Sequence, residues 1–482
     1  MQNLETEVLI IGGGAAGMAA ATAVSELGKK ALIVEANASV GGNGLFPRGI
    51  FAVDSVLQRQ KLIFADKDQV FRDCMNYSHW RIDGRIIRTL IEKSGDTIEW
   101  LMGKGVEFDA VVHHIPNQAP EVFHTTSAEE NVGRVVIRNL KAFCEAHQVE
   151  IRTKTRGEHL IKNEEGDIVG AVCVDAQGEE VRIDAKKVIV CCGGFAGNED
   201  MIREYYPNFH PEQVEAGPGM RHMGEGLKMA MEAGADLDGN FTMEIAAPKI
   251  KGFVPLNLIL GKPYNVWLNA FGERFADESI VYNFAVAANA CERQLNGEMW
   301  VVFDQGILDM CLADGPDHIE KIHVPPEALA QLDACIEDAI SEGVLCRSDK
   351  ISDIADFIGA TAEDVEDCIA EYNAFCHSGR DGIFAKEQRY LKPLVQGPYY
   401  AIHAGRDMLI THGGIRVNER FQALDAEHLP LANLFIAGVD FGGADAEIYN
   451  VVMSGHGFGF ALNSGRMAGE NAVAELNLEN AV

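Results

Sequence analysis

At 482 residues, 47% hydrophobic and 23% charged, the chain carries enough apolar mass for two or three domains. Forty-one basic against seventy-two acidic side chains leave a net charge of −31, which argues against nucleic acid or anionic membrane as partners, since both need a basic footprint. The eleven cysteines follow no CxxC or CxxCH spacing, so no metal, redox or haem motif is expected, and no stretch reaches the ~18 uncharged apolar residues of a membrane span.

Met1-Gln2-Asn3-Leu4-Glu5 has no basic run and leads directly into apolar sequence, so no export leader is expected and a reduced, cytoplasmic enzyme is. Val8-Leu9-Ile10-Ile11 is a continuous apolar run of the kind a buried parallel strand shows. Gly12-Gly13-Gly14-Ala15-Ala16-Gly17 follows, and Met18 to Leu27 reads as an Ala-rich helix. Gly12 permits the tight turn, Gly14 lets a pyrophosphate approach the backbone, and Gly17 lets helix and strand pack closely. The helix start, with Ala15 and Ala16, offers N–H groups and the positive end of the helix dipole to phosphate. Ala31-Leu32-Ile33-Val34 is a second strand ending on Glu35, 18 residues beyond Gly17 and followed by Ala36. A carboxylate there accepts from a ribose 2′-OH and repels a 2′-phosphate. Strand, glycines, helix, strand and acid in this order specify a dinucleotide site.

A second glycine turn, Gly41-Gly42-Asn43-Gly44, comes within seven residues of the acid, with Gly49 just beyond it. Arg48 reads either as a phosphate contact or as a surface charge. Cys191-Cys192, in the apolar run from Val188, reads as two small buried strand residues ahead of Gly193 and Gly194. Thr361 and Asp364 form a capping box, and Val365, Ile369 and Tyr372 fall at helical spacing. Asn433 to Gly438 is a late strand ending in glycine, followed by Asp440, and Ser454-Gly455-His456-Gly457 opens a helix through Ala461 to Ala474. Glycine and acid signals at both ends of the chain suit a long cofactor whose far half has its own binding groups, which is FAD rather than NAD. N–H groups at the late helix start are placed to stabilise negative charge on a reduced flavin. The plainer reading is an ordinary helix that closes the domain.

These residues carry a resemblance. The chain is similar over nearly its whole length to the flavoprotein family of soluble fumarate reductases, succinate dehydrogenase flavoprotein subunits, urocanate reductases and 3-ketosteroid dehydrogenases. Further matches are the Gly-Gly-Phe turn at Gly193-Gly194-Phe195, Gly224-Glu225-Gly226, Gly272-Glu273-Arg274-Phe275-Ala276-Asp277-Glu278, and the closing Ser464-Gly465-Arg466-Met467-Ala468-Gly469. The resemblance implies an α/β fold. A Rossmann-like FAD-binding domain, 1–238 and 398–482, is interrupted by an α+β cap, or substrate, domain at 239–397. Some members attach FAD through a histidine near the second glycine turn; residues 36 to 60 contain none, so non-covalent FAD is expected.

Fumarate reductases of this family hold a dicarboxylate between two arginines and two histidines. At those positions this chain has Tyr282, Val452, Ile410 and Ala247. Without charge-assisted partners a dicarboxylate's charges stay unmatched, so fumarate and succinate are not expected as substrates. Tyr282 stands where ketosteroid dehydrogenases place a catalytic tyrosine. A phenol with pKa near ~10 serves as proton donor in reduction or base in desaturation; the plain alternative is a packing role in the cap. Tyr449 or His412 would hold a carbonyl oxygen, and His456 would lie by the flavin or cap the helix.

The implied reaction is hydride transfer between flavin N5 and the β-carbon of an alkene beside a carbonyl, in a neutral cyclic enone such as a steroid or polyphenol, or the reverse dehydrogenation. No second nucleotide fingerprint, haem motif or FMN appendage is present, so electrons come from a diffusing partner: NADH, a reduced flavin or a small redox protein. Three alternatives stand beside this reading: a carboxylate-specific enoate reductase using a cap arginine such as Arg293, an oxygen-using amine or alcohol oxidase, and a non-catalytic flavin-binding redox sensor.

Overall fold

The apolar run Val8–Ile11 forms the centre of a parallel sheet, pairing with Ala31–Val34 on one side and Lys187–Val190 on the other. The computed structural model that shows this describes residues 2–113, 120–127, 130–206, 209, 214–216, 222–316, 324 and 326–479. The chain divides into two compact units, Met1–Phe209, Gly217–Glu244 and Ile410–Val482 in the first, His210–Ala216 and Ile245–Leu409 in the second. The second unit therefore runs beyond the expected 397. The reason is the strand Tyr399–His412, whose first half pairs antiparallel with Met299–Asp304 and Leu345–Ser348, so the chain rejoins the first unit only at Ile410.

In the first unit, Pro430–Ile436 extends the sheet parallel to Glu180–Val190, and Glu150–Thr153 extends it parallel to Ala31–Glu35. The central strands are apolar without alternation because both faces are covered, and Val8, Leu9 and Ile10 are fully buried. The helix Ala15–Glu26 packs against Val132–Ala146 and against the closing helix His456–Glu479. It begins three residues before the expected Met18, directly at the glycine turn. Gly17 is required there: a Cβ would stand 1.9 Å from the Gly12 carbonyl oxygen. The strand Glu180–Val190 stops short of Cys191 and Cys192, which lie just past its end rather than within it. All eleven cysteines are free thiols.

In the second unit, Met299–Asp304 also pairs with Val266–Leu268. The expected capped helix is Ala362–Ser378, with Thr361 Oγ1 accepting from Asp364 N at 3.1 Å and Val365, Ile369 and Tyr372 buried. Among the described residues no helix is long and apolar enough to cross a membrane.

Candidate active site

The first strand ends where three turns converge. Glu35 is buried and holds the glycine turn in place: its Oε2 accepts from Gly13 N at 2.8 Å, and its Oε1 accepts from Asn37 N and Nδ2 at 2.7 and 2.8 Å. Ala36 beside it is exposed. Gly41 N donates to Gly13 O at 2.8 Å, tying the second glycine turn to the first. No side chain caps the helix at Gly14, and a Cβ on Gly42 would meet nothing within 4 Å. Uncapped N–H groups and an open glycine face are what a pyrophosphate needs. Gly44 packs on Ala15, and Asn43 lies between it and Gly42. Arg48 is half-buried, and burial and then the Arg134 charge push its guanidinium below the usual arginine range.

The late segment adds a second set of buried contacts. Asp440 is buried, and its carboxylate accepts from Gly194 N at 2.7 Å and from Cys192 N. Gly226 leaves room for it, since a Cβ there would stand 2.6 Å from Asp440 Oδ2. Gly193 and Gly194 both have positive φ, which this tight turn demands. Burial raises the Asp440 carboxyl to about 6, against the lowering by the N–H groups of Gly194, Cys192 and Gly193. Gly455 meets Gly49 backbone to backbone, a Cβ standing 3.1 Å from Gly49 O, while Ser454 Oγ donates to Val451 O at 2.7 Å.

At the head of the closing helix a buried polar cluster forms. His456 Nδ1 donates to Met453 O at 3.0 Å, and its Nε2 lies 2.8 and 3.0 Å from the two oxygens of Asp445. His412 Nδ1 approaches the same carboxylate at 3.2 Å, and its Nε2 lies 3.7 Å from Glu244 Oε2. Tyr449 stacks on His456 at 4.3 Å between ring centroids and lies 5.3 Å from His412. Burial works against charge on His412, but Asp445 and then Glu244 hold it above the usual histidine range. Burial likewise opposes ionisation of Asp445, yet His456 and His412 hold it below the usual carboxylate range. Burial, Glu244 and Asp445 all push the Tyr449 phenol well up, so it stays protonated.

Residues 7–449 match the family model described as an FAD binding domain. The chain belongs to this FAD-binding family. The vinyl phenol reductase of Lactiplantibacillus plantarum is 30% identical over 482 residues, covering 97% of this chain and 96% of that one. Two solved structures share the fold. A 3-ketosteroid delta1-dehydrogenase from Sterolibacterium denitrificans has a TM-score of 0.77 at 17% identity, covering 98% of this chain and 100% of that one. The open conformation of a flavocytochrome c3 fumarate reductase has a TM-score of 0.75 at 23% identity, covering 98% and 78%. The protein is thus an FAD-dependent oxidoreductase.

Within this flavoprotein, His412, Tyr449 and His456 are brought together in the first unit, joined by Asp445 and Glu244. Neither acid belongs to a recognisable spacing in the sequence; only their packing against His412 marks them. Tyr282 belongs to the second unit, where it ends the short helix Glu278–Tyr282 and lies 6.1 Å from the Tyr390 ring. Glu278 anchors that helix: it is fully buried, paired with Arg274 at 2.9 Å and Lys386 at 3.1 Å, and Arg274 also reaches Asp381 at 3.0 Å.

Proposed function

We propose that this flavoprotein reduces a carbon–carbon double bond in an uncharged substrate whose alkene is conjugated to a carbonyl or a phenol ring. FAD, when bound, supplies the hydride. The Gly12–Gly17 turn and Glu35 would hold its pyrophosphate and ribose, and the segments around Gly194, Asp440 and Gly455 its far half, non-covalently.

The observation that carries the reading is the charge balance of the histidine cluster. Two carboxylates, Asp445 and Glu244, face two imidazoles, His412 and His456, so the cluster has no surplus positive charge to offer a dicarboxylate. A substrate carboxylate ~4 Å from Glu244 would meet a repulsion of about 4 kcal/mol at an effective dielectric near ~20. Val452 and Ile410, at the positions where the resemblance would put an arginine and a histidine, are uncharged, and Arg293 is exposed. Tyr449 and His412 instead present neutral or charged N–H and O–H donors, which polarise a carbonyl or phenol oxygen. Tyr282, where the resemblance places a catalytic tyrosine, is the proposed proton donor. The likeness to a vinyl phenol reductase across 97% of the chain supports the same substrate class.

The test is anaerobic reoxidation of the reduced holoenzyme by 4-vinylphenol, a cyclohexenone and fumarate. The neutral alkenes reoxidise the flavin and yield the saturated product; reoxidation by fumarate alone contradicts the reading.

A further inference from the structure

His412 carries a buried polar atom, Nε2, with no hydrogen-bond partner among the described residues. The residue is 5% exposed. Its Nε2 is 3.7 Å from Glu244 Oε2, beyond hydrogen-bond reach. A buried donor left unpaired costs about 1–3 kcal/mol, so the surroundings must hold the ring where it is. Asp445 does this. Its carboxylate is fully buried and gripped from the other side by His456 Nε2 at 2.8 Å. Both nitrogens of His456 face acceptors, the Met453 carbonyl and the carboxylate, so the ring is pinned at both ends. With one imidazole fixed on Asp445, the other has a fixed counter-charge to dock on.

We propose that Asp445 is a positioning residue that fixes His412 as a doubly protonated hydrogen-bond donor, its Nε2–H directed at the polar oxygen of the substrate. This rests on the ene-reductase reading above. The groups that face His412 are Asp445 and Glu244, the His456 ring at 5.7 Å and the Tyr449 ring at 5.3 Å. Two carboxylates outweigh one neighbouring imidazole, and the phenol stays neutral. Burial by itself discharges an imidazole; the paired carboxylates reverse that here. An asparagine at 445 keeps the shape but loses the charge. His412 then becomes a neutral ring with one proton to place between two acceptors.

The experiment uses FAD-loaded protein with 15N-labelled histidine, the His412 signals being those lost in His412→Gln. In the wild type, the ring stays doubly protonated through neutral pH. In Asp445→Asn its midpoint falls by one unit or more, and the ratio of turnover at pH about 8 to that at about 6 drops about tenfold. Asp445→Glu restores the ring's charge. Flavin absorbance of the same samples reports cofactor retention, so a failure of FAD binding is read separately from loss of ring charge. A neutral His412 in the wild type at pH about 7 overturns the proposal, and this holds even where Asp445→Asn does not fold. An Asp445→Asn protein with an unchanged midpoint and an unchanged pH profile overturns it too, as does a stoichiometric divalent ion in the purified wild type.

Discussion

Gly465 and Ala16 meet backbone to backbone: a Cβ on Gly465 would stand 2.1 Å from the Ala16 carbonyl oxygen. One turn on, Gly469 repeats the contact with Ala20, at 2.7 Å. The closing helix thus rests directly on the helix Ala15–Glu26, whose start is the proposed phosphate cradle. Gly465→Ala has no room to be absorbed by a flexible side chain and forces the two helices apart. The expected cost is about 1–3 kcal/mol, seen as a lower melting temperature and a smaller fraction of FAD retained on desalting. Gly405→Ala, whose Cβ meets nothing within 4 Å, is the neutral control.

Glu35 holds the turn through Gly13 and Asn37, and the proposed reading gives it a second task, accepting from a ribose hydroxyl of FAD. Glu35→Ala removes both and leaves the Gly13 N–H without its partner. The apoprotein then binds FAD about 10- to 100-fold more weakly, which corresponds to about 1.4–2.7 kcal/mol. Flavin-fluorescence titration measures it; unchanged affinity rules out the assignment.

The strand, glycines, helix and acid of the first thirty-five residues were legible because each signal is local: an apolar run, a turn that tolerates no Cβ, a carboxylate at the next strand's end. Asp440 was legible as an acid after a strand, but its role as a clasp for the Cys192 and Gly194 N–H groups was not, because those partners lie far away in sequence. Asp445 and Glu244 were invisible for the same reason. Neither sits in a periodic or motif context, and each acquires meaning only when the end of the strand Tyr399–His412 carries His412 between them. The later return follows from the strand Tyr399–His412, whose first half pairs with Met299–Asp304 and Leu345–Ser348 and so keeps the chain in the second unit through Leu409.

The Asp440 carboxyl lies at about 6 in the fold against 3.8 when free, so the folded state binds that proton more tightly than the unfolded chain. Its contribution to stability is therefore greatest at low pH, falls as pH rises toward about 6 and is level above. Between about pH 5 and about pH 7 the wild type loses on the order of 1 kcal/mol relative to Asp440→Asn. Urea unfolding of both proteins at the two pH values reads the difference; a gap of the opposite sign contradicts the assignment.

In the second unit, Glu278 is the common partner of Arg274 and Lys386 and also accepts from Trp267 N at 3.2 Å. Burial works against its charge, but Lys386 and Arg274 hold the carboxyl below the usual range. Glu278→Gln leaves two buried cations facing a neutral amide and costs about 3–5 kcal/mol by denaturant unfolding. Glu278→Asp, which keeps the charge, costs less.

Tyr282→Phe keeps the ring and removes the hydroxyl. Turnover of the best neutral alkene falls about 100-fold while FAD absorbance and substrate affinity change little, because the loss is confined to proton transfer. Full retention of turnover assigns the proton to another group.

The central claim concerns charge, and two molecules that differ in little else test it most directly: 4-vinylphenol and 4-hydroxycinnamate. The second adds a carboxylate to the first. Measured with the same reduced enzyme at neutral pH, kcat/KM is expected to favour the neutral compound by about 100-fold, a difference of about 2.7 kcal/mol. Equal values, or a preference for the carboxylate, would contradict the account.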